Sequence, residues 1–329
     1  MDRLGLQIDP YANDPGHWGA SLLTLAELIV PCLDAAGARS VVEVGAYAGD
    51  LTRLLVDRAA AGGGRVQAID PDPRRSLVEL AERRPELELI RATSHAALRQ
   101  IAPPDAAIID GDHNYFTVRE ELRLIAAKAP GADLPLLIFH DVAWPHARRD
   151  DYYDPDMTPE EHRQPIQEGG GLFPGVPGTR AGGLPFRYAA SREGGPRNGV
   201  LSAVEDFVDE RGGLTLAVVP AFFGLGVVWH DQAPWAAAVA QLLELWDRNP
   251  LLERLEANRV LHLASSHFHL VQAARAQERA DRQEAVLRRL LASSAFAVAE
   301  RLSRLRSRAG VATDASVLSK AEIRRALGE

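Results

Sequence analysis

Short apolar runs alternate with amphipathic stretches from about residue 15 to residue 231. The runs at 40–44, 65–70, 87–91, 106–110, 135–140, 214–219 and 226–230 are rich in Val, Ile and Leu. Gly, Pro or Asp bounds each of them, as expected of short buried strands. Between them, 51–60, 74–84, 94–101, 116–129 and 198–211 carry helical periodicity. Strands that alternate with helices predict an α/β fold whose mainly parallel sheet is covered on both faces. Only residues 220–225 separate the last two strands, so these should pair as an antiparallel hairpin.

Two segments break the rhythm. Residues 144–197 contain 17 Gly or Pro among 54 residues and no sustained period, which marks a long insertion after the fifth strand. Its aromatic and charged opening, WPHARRDDYYDPD, favours an ordered substrate lid over a linker. After Pro250 no Gly or Pro occurs until Gly310, so long helices are expected, with Val286, Leu290, Ala297 and Leu305 among their apolar positions. The expected organisation is a catalytic domain over 1–231, with its lid at 144–197. A helical region over 232–329 would follow, suited to docking or to self-association as a homo-oligomer.

Composition changes this picture little. The chain has 329 residues and a net charge of -8, which argues against wholesale binding to nucleic acid or anionic membrane. Arg301, Arg304, Arg306 and Arg308 form a local basic patch near the C-terminus. One cysteine, Cys32, rules out an internal disulfide and agrees with a reducing compartment. No signal-peptide pattern opens the chain and no run approaches the length of a membrane helix, so a soluble, cytoplasmic protein is expected.

Candidate chemistry begins at VVEVGAYAGDLTRLL, residues 41–55, where a strand runs into a glycine turn and a helix. Glycines let the backbone turn sharply and approach a ligand, and ligands of parallel sheets sit at the carboxyl ends of the strands. The spacing Gly45-x-x-x-Gly49 is not that of a dinucleotide-binding turn. The second strand ends in Asp70, a carboxylate placed to accept hydrogen bonds from ribose hydroxyls. At the ends of the fourth and fifth strands, IIDGDHNY (108–115) and LLIFHDVAW (136–144) should bring Asp110, Asp112, His113, His140 and Asp141 together. Carboxylates and imidazole around an open position suit a divalent metal, and a histidine there can take a proton as general base.

The E-V-G-x-x-x-G run, the strand ending in Asp70 and the strand order resemble class I, Rossmann-like methyltransferases. The resemblance implies S-adenosylmethionine as cofactor. Gly45, Ala46 and Gly49 would lie against its methionine portion, Glu43 near its amino group and Asp70 on the ribose. Thr93 and Ser94 would lie near the adenine, and Asp110 would border the transferred methyl. The two later motifs resemble the macrolide-sugar O-methyltransferases and the cephalosporin-hydroxylase-like group. That likeness implies a magnesium ion held by Asp110 and Asp141, with His113 as base. His140 stands where those enzymes carry Glu, so a metal set of Asp110, His140 and Asp141 competes with a metal-free acid–base pair.

Arg148, Arg149, Tyr152 and Tyr153 in the lid, with Arg197 and Asn198 before the last helix, are candidates for binding a polar small molecule. Asn198 is equally suited to cap that helix. His262, His267 and His269 are not spaced i, i+4 and do not read as a zinc motif. The expected activity is methyl transfer to a small-molecule hydroxyl, with a sugar or glycosylated natural product favoured by the resemblance. N-methylation without metal and a silent S-adenosylmethionine-binding scaffold are the alternatives. A dinucleotide oxidoreductase is disfavoured by the turn.

Overall fold

The computed structural model describes residues 21–309 and 319–327. A central sheet contains β1 (Ser40–Val44), β2 (Arg65–Ile69), β3 (Leu87–Ile90), β4 (Ala106–Ile109), β5 (Leu136–Phe139), β8 (Leu214–Val219) and β9 (Leu225–His230). Their order is β3-β2-β1-β4-β5-β9-β8. The first five are mutually parallel, and β9 runs antiparallel to both neighbours. This is the expected Rossmann-like seven-stranded sheet with an antiparallel last strand. The two sides of β1 carry different connections, so the sheet order reverses there and opens a crevice at the strand ends.

Helices cover both faces because each presents one apolar stripe to the sheet. On one face lie α1 (Ala26–Ala35), α2 (Asp50–Gly62), α3 (Arg75–Arg83) and α7 (Ala236–Leu243), which contribute Ile29, Leu55, Leu77 and Val239 to one core. On the other lie α4 (Ser94–Gln100), α5 (Tyr115–Ala126) and α6 (Val200–Arg211), which contribute Leu98, Leu122 and Ala203. Leu55 and Leu122 are at most 1% exposed, and truncating either to Ala costs about 2–5 kcal/mol. Cys32 lies in the first core, where burial pushes its thiol up to about 12 and leaves it unreactive.

The insertion is ordered and holds a hairpin that the hydrophobic pattern did not reveal, β6 (Ile166–Leu172) paired with β7 (Leu184–Ala190). The reason is physical. Residues 166–170 are solvent-exposed, so no alternation is imposed on them. Gly171 meets the returning chain so closely that a Cβ there would lie 1.3 Å from Gly182 O.

Helix α8 (Pro250–Ala292) begins as part of this first compact unit, which extends to Phe268 rather than ending near residue 231. Val260 and Leu263 pack there with Phe223, Trp144 and Leu184. The second unit, from His269, contains the rest of α8, α9 (Ser294–Arg308) and α10 (Lys320–Ala326), the last closed by a capping box on Ser319. Val298, Leu302 and Leu305 of α9 are exposed. No described helix is long and apolar enough to cross a membrane.

Candidate active site

The residues singled out at the strand ends converge on the crevice. Ladder hydrogen bonds run one residue past each strand: Gly45 N–H donates to Ile69 O at 2.9 Å, Asp110 N–H to Val44 O at 2.9 Å and His140 N–H to Ile109 O at 3.1 Å. The sheet itself therefore sets the positions of Gly45, Asp110 and His140.

At the β1–α2 turn the glycines have distinct causes. Gly45 has φ +83°, and a Cβ on it would lie 1.9 Å from Asp110 O, so no other residue fits. Gly49 also has φ +83° and opens α2, turning backbone N–H groups of the first helical turn toward the crevice. Glu43 is buried, and its Oε2 accepts from Thr52 Oγ1 at 2.6 Å. Burial pushes its carboxyl up to about 7. Asp70 accepts from Tyr47 N–H at 2.7 Å and from Asp72 N–H at 2.8 Å, which fixes the carboxylate while leaving lone pairs for a ligand. Ala46 is buried beside it, and Thr93 and Ser94 form the N-terminus of α4 at the end of β3.

Across the crevice the ends of β4 and β5 form a dense charge cluster. His140 Nδ1 lies 3.2 Å from Asp110 Oδ1 and 3.3 Å from Asp141 Oδ2. His113 Nε2 lies 3.1 Å from Asp141 Oδ2 and 3.5 Å from Asp110 Oδ1. Asp141 has φ +59°, a left-handed conformation that Asp tolerates better than most residues and that helps bring its carboxylate to this point. The other nitrogen of His140, Nε2, is 2.9 Å from Phe222 O and donates to it. In the neutral ring this leaves Nδ1 as a lone pair facing two carboxylate oxygens, an arrangement satisfied either by a proton on Nδ1 or by a bound cation. Asp110, His140 and Asp141 thus fit a divalent ion, with one imidazole in a set otherwise built of oxygen.

The protonation states follow the same geometry. Burial alone would lower the His113 imidazole, but Asp141 and Asp110 push it up to about 10. His140 is held well above its usual value by the same two carboxylates, against burial. Asp141, although buried, is held well below the carboxylate range by His113 and His140.

Of the lid residues expected to touch a ligand, several have other work. Arg149 is 1% exposed and donates to Ala190 O at 2.6 Å and Pro177 O at 2.7 Å. Tyr152, also 1% exposed, donates to Asp150 Oδ2 and accepts from Gln164 N–H. Asn198 is buried and does not cap α6, which begins after Gly199. Its side chain accepts from Asp150 N–H and donates to Arg192 O and Gly194 O. These three fold the insertion, a correction to their expected role. Arg148 makes a bidentate pair with Glu205 at 2.6 and 2.9 Å. Arg197 is exposed with φ +54°, and Tyr153 is 66% exposed with its hydroxyl 3.4 Å from Asp72 Oδ2, two residues along the chain from Asp70.

Other contributors escaped the sequence reading. Asp150 is fully buried and accepts from Tyr115 N–H, Gly199 N–H and Tyr152 Oη, knotting the insertion to α5 and α6. Glu256 on α8 accepts from Phe222 N–H and Phe223 N–H, holding the loop that anchors His140. Both Phe residues have left-handed backbones, at φ +50° and +68°, a strained pair that this carboxylate stabilises. His146 and Asp151 stand beside His113, near it in space but far from it in sequence. The adjacent acidic pair at 150–151 is the only local hint of them.

Residues 42–142 match a family described as a methyltransferase domain. No curated protein matches the chain. Among solved structures it is similar to a Podospora anserina methyltransferase bound to S-adenosylhomocysteine, with 12% identity over 62% of this chain and 77% of that one at a TM-score of 0.39. It is also similar to an S-adenosylmethionine-bound amino pentose methyltransferase from Micromonospora echinaspora, with 14% identity, 66% and 94% coverage and a TM-score of 0.37. An O-methyltransferase from Bacillus cereus gives 16% identity, 68% and 82% coverage and a TM-score of 0.38. The match at 42–142 makes that stretch similar to a methyltransferase domain, and the strand order around it is that of the expected Rossmann-like fold.

Proposed function

We propose that this protein is an S-adenosylmethionine-dependent methyltransferase that acts on a hydroxyl of a small molecule, of the sugar or glycosylated natural-product class, with magnesium assistance. The observation that carries the reading is the convergence of Asp110, His113, His140 and Asp141 across from the Gly45 turn. S-adenosylmethionine supplies an electrophilic sulfonium methyl. Glu43, Gly45, Ala46, Gly49, Asp70, Thr93 and Ser94 bind it and aim that methyl toward Asp110. Asp110, His140 and Asp141 would hold the metal, which lowers the pKa of a bound hydroxyl. His113 accepts the hydroxyl proton at a ring nitrogen as the oxygen attacks in line. The cluster's own carboxylates hold His113 protonated, so it becomes a base only when their charge is neutralised. Tyr153 and Arg197, exposed on the insertion side, are the lid residues still available to contact the acceptor. Self-association through the C-terminal helices belongs to the same proposal, supported by the exposed Val298, Leu302 and Leu305.

The test is formation of S-adenosylhomocysteine with a panel of sugars, polyols and amines, with magnesium and then with chelator. Turnover of hydroxyl acceptors that falls with chelator and returns with magnesium is expected. Turnover of amines alone, indifferent to chelator, would favour metal-free N-methylation. Cofactor binding with no turnover of any acceptor would favour a silent scaffold.

A further inference from the structure

The insertion brings a second group of donor side chains to His113, and the methyl-transfer reading makes no use of it. His146 and Asp151 belong to the first stretch of the insertion, and with His113 they place three donor atoms within 4.8 Å of one another. The His113 and His146 rings stack, with centroids 4.9 Å apart and planes 26° from parallel. Backbone bonds fix the arrangement: Asp151 N–H donates to His113 O at 3.1 Å, and His146 O accepts from Val200 N–H at 2.9 Å. Yet His146 Nδ1 and Asp151 Oδ1 are buried without a hydrogen-bond partner. Buried polar atoms are nearly always satisfied by protein, water or an ion. An ionised carboxylate only accepts and a neutral imidazole keeps one accepting nitrogen, so Asp151 and His146 present acceptors that a bound cation would satisfy, with His113 joining them by giving up a ring proton.

We propose that His113, His146 and Asp151 form a second divalent-cation site, for an imidazole-binding ion of the zinc class, that pins the insertion to the end of β4. Two imidazoles and one carboxylate suit such an ion far better than magnesium or calcium, which prefer all-oxygen sets. The site is distinct from Asp110, His140 and Asp141, whose donors come from the sheet rather than from the insertion. Occupied, it takes a ring nitrogen of His113 and inhibits proton transfer. That consequence rests on His113 being the base, whereas the binding does not.

The full-length protein, stripped with chelator, is titrated with Co2+, followed by its visible absorption, and with Zn2+ by calorimetry. An Asp110→Asn/Asp141→Asn double variant isolates the second site and should still bind. His146→Ala and Asp151→Asn, introduced into that background, should each weaken binding about tenfold or more. Circular dichroism checks folding, and the isosteric Asp151→Asn carries the test if His146→Ala does not fold. A folded double variant with neither cobalt absorption nor zinc heat overturns the proposal. Binding that survives both insertion variants overturns it equally. If no acceptor is ever methylated, these binding results still stand, so the two readings fail separately.

Discussion

At the ends of β1 and β2 the crevice is shaped by backbone, whereas at the ends of β4 and β5 it is shaped by side-chain charge. Gly45, Gly49 and the Tyr47 N–H that holds Asp70 need only a turn of the right length, and the side chains of Glu43 and Asp70 are each hydrogen-bonded within the domain. On the other side, Asp110, His113, His140 and Asp141 crowd within 3.5 Å of one another in pairs, and their charges balance only with added protons or a cation. The first side is complete before a ligand arrives. The second is arranged to receive charge, which is what chemistry on a hydroxyl needs and cofactor binding does not.

His113→Ala separates the two sides most sharply. Loss of a general base should lower turnover about 10²–10⁴-fold. Affinity for S-adenosylhomocysteine, read by calorimetry, should stay within about twofold because the cofactor side is untouched. A matching loss of affinity would show that the halves are one unit.

Gly45→Ala should damage both sides, since its Cβ would strike the Asp110 backbone. The clash and the positive φ together should destabilise the fold by about 3 kcal/mol or more, measured by denaturant unfolding. A variant of unchanged stability would mean that the turn can yield.

Glu121 tests the interior beneath the charged side. It lies on α5, fully buried, with neither carboxyl oxygen hydrogen-bonded, and burial pushes its pKa up to about 8. A carboxyl whose native pKa lies above its unfolded value favours the fold at low pH and loses that advantage as pH rises toward the native value. Glu121→Gln should therefore gain stability relative to the wild type between about pH 4.5 and 8, by roughly 4 kcal/mol at the upper end. Parallel melting curves across that range would remove Glu121 from the account.

Asp70→Ala is the mildest test and belongs to the cofactor side alone. Cofactor affinity should fall about tenfold, the scale of a charge-assisted hydrogen bond, and the same measurement on Asp141→Ala should show little change.

Much of the fold was legible because its signals are local. The strand and helix periods, the six-residue link before the last strand, and the glycine spacing at 45 and 49 each lie within a few residues, so the sheet order and the tight glycine turn after β1 could be anticipated. The convergence of Asp110, His113, His140 and Asp141 was also legible, because adjacent parallel strands must end side by side. The β6–β7 hairpin was not, since its first strand is exposed and glycine-rich and carries no alternation to mark it. Nor were the roles of Arg149, Tyr152 and Asn198, whose type suggests a ligand but whose partners are backbone groups and, for Tyr152, the buried Asp150 carboxylate as well.

By itself, then, the sequence determined which residues sit at the strand ends and the class of chemistry they suit, since both follow from short-range pattern and strand adjacency. Only the tertiary structure decided which polar groups remain open to a ligand and which are used within the fold. It also decided that Glu256, far along the chain on α8, props the loop that orients His140, and that His146 and Asp151 flank His113. Those relations depend on contacts between distant segments, and the energy of a buried charge depends on everything packed around it rather than on its neighbours in sequence.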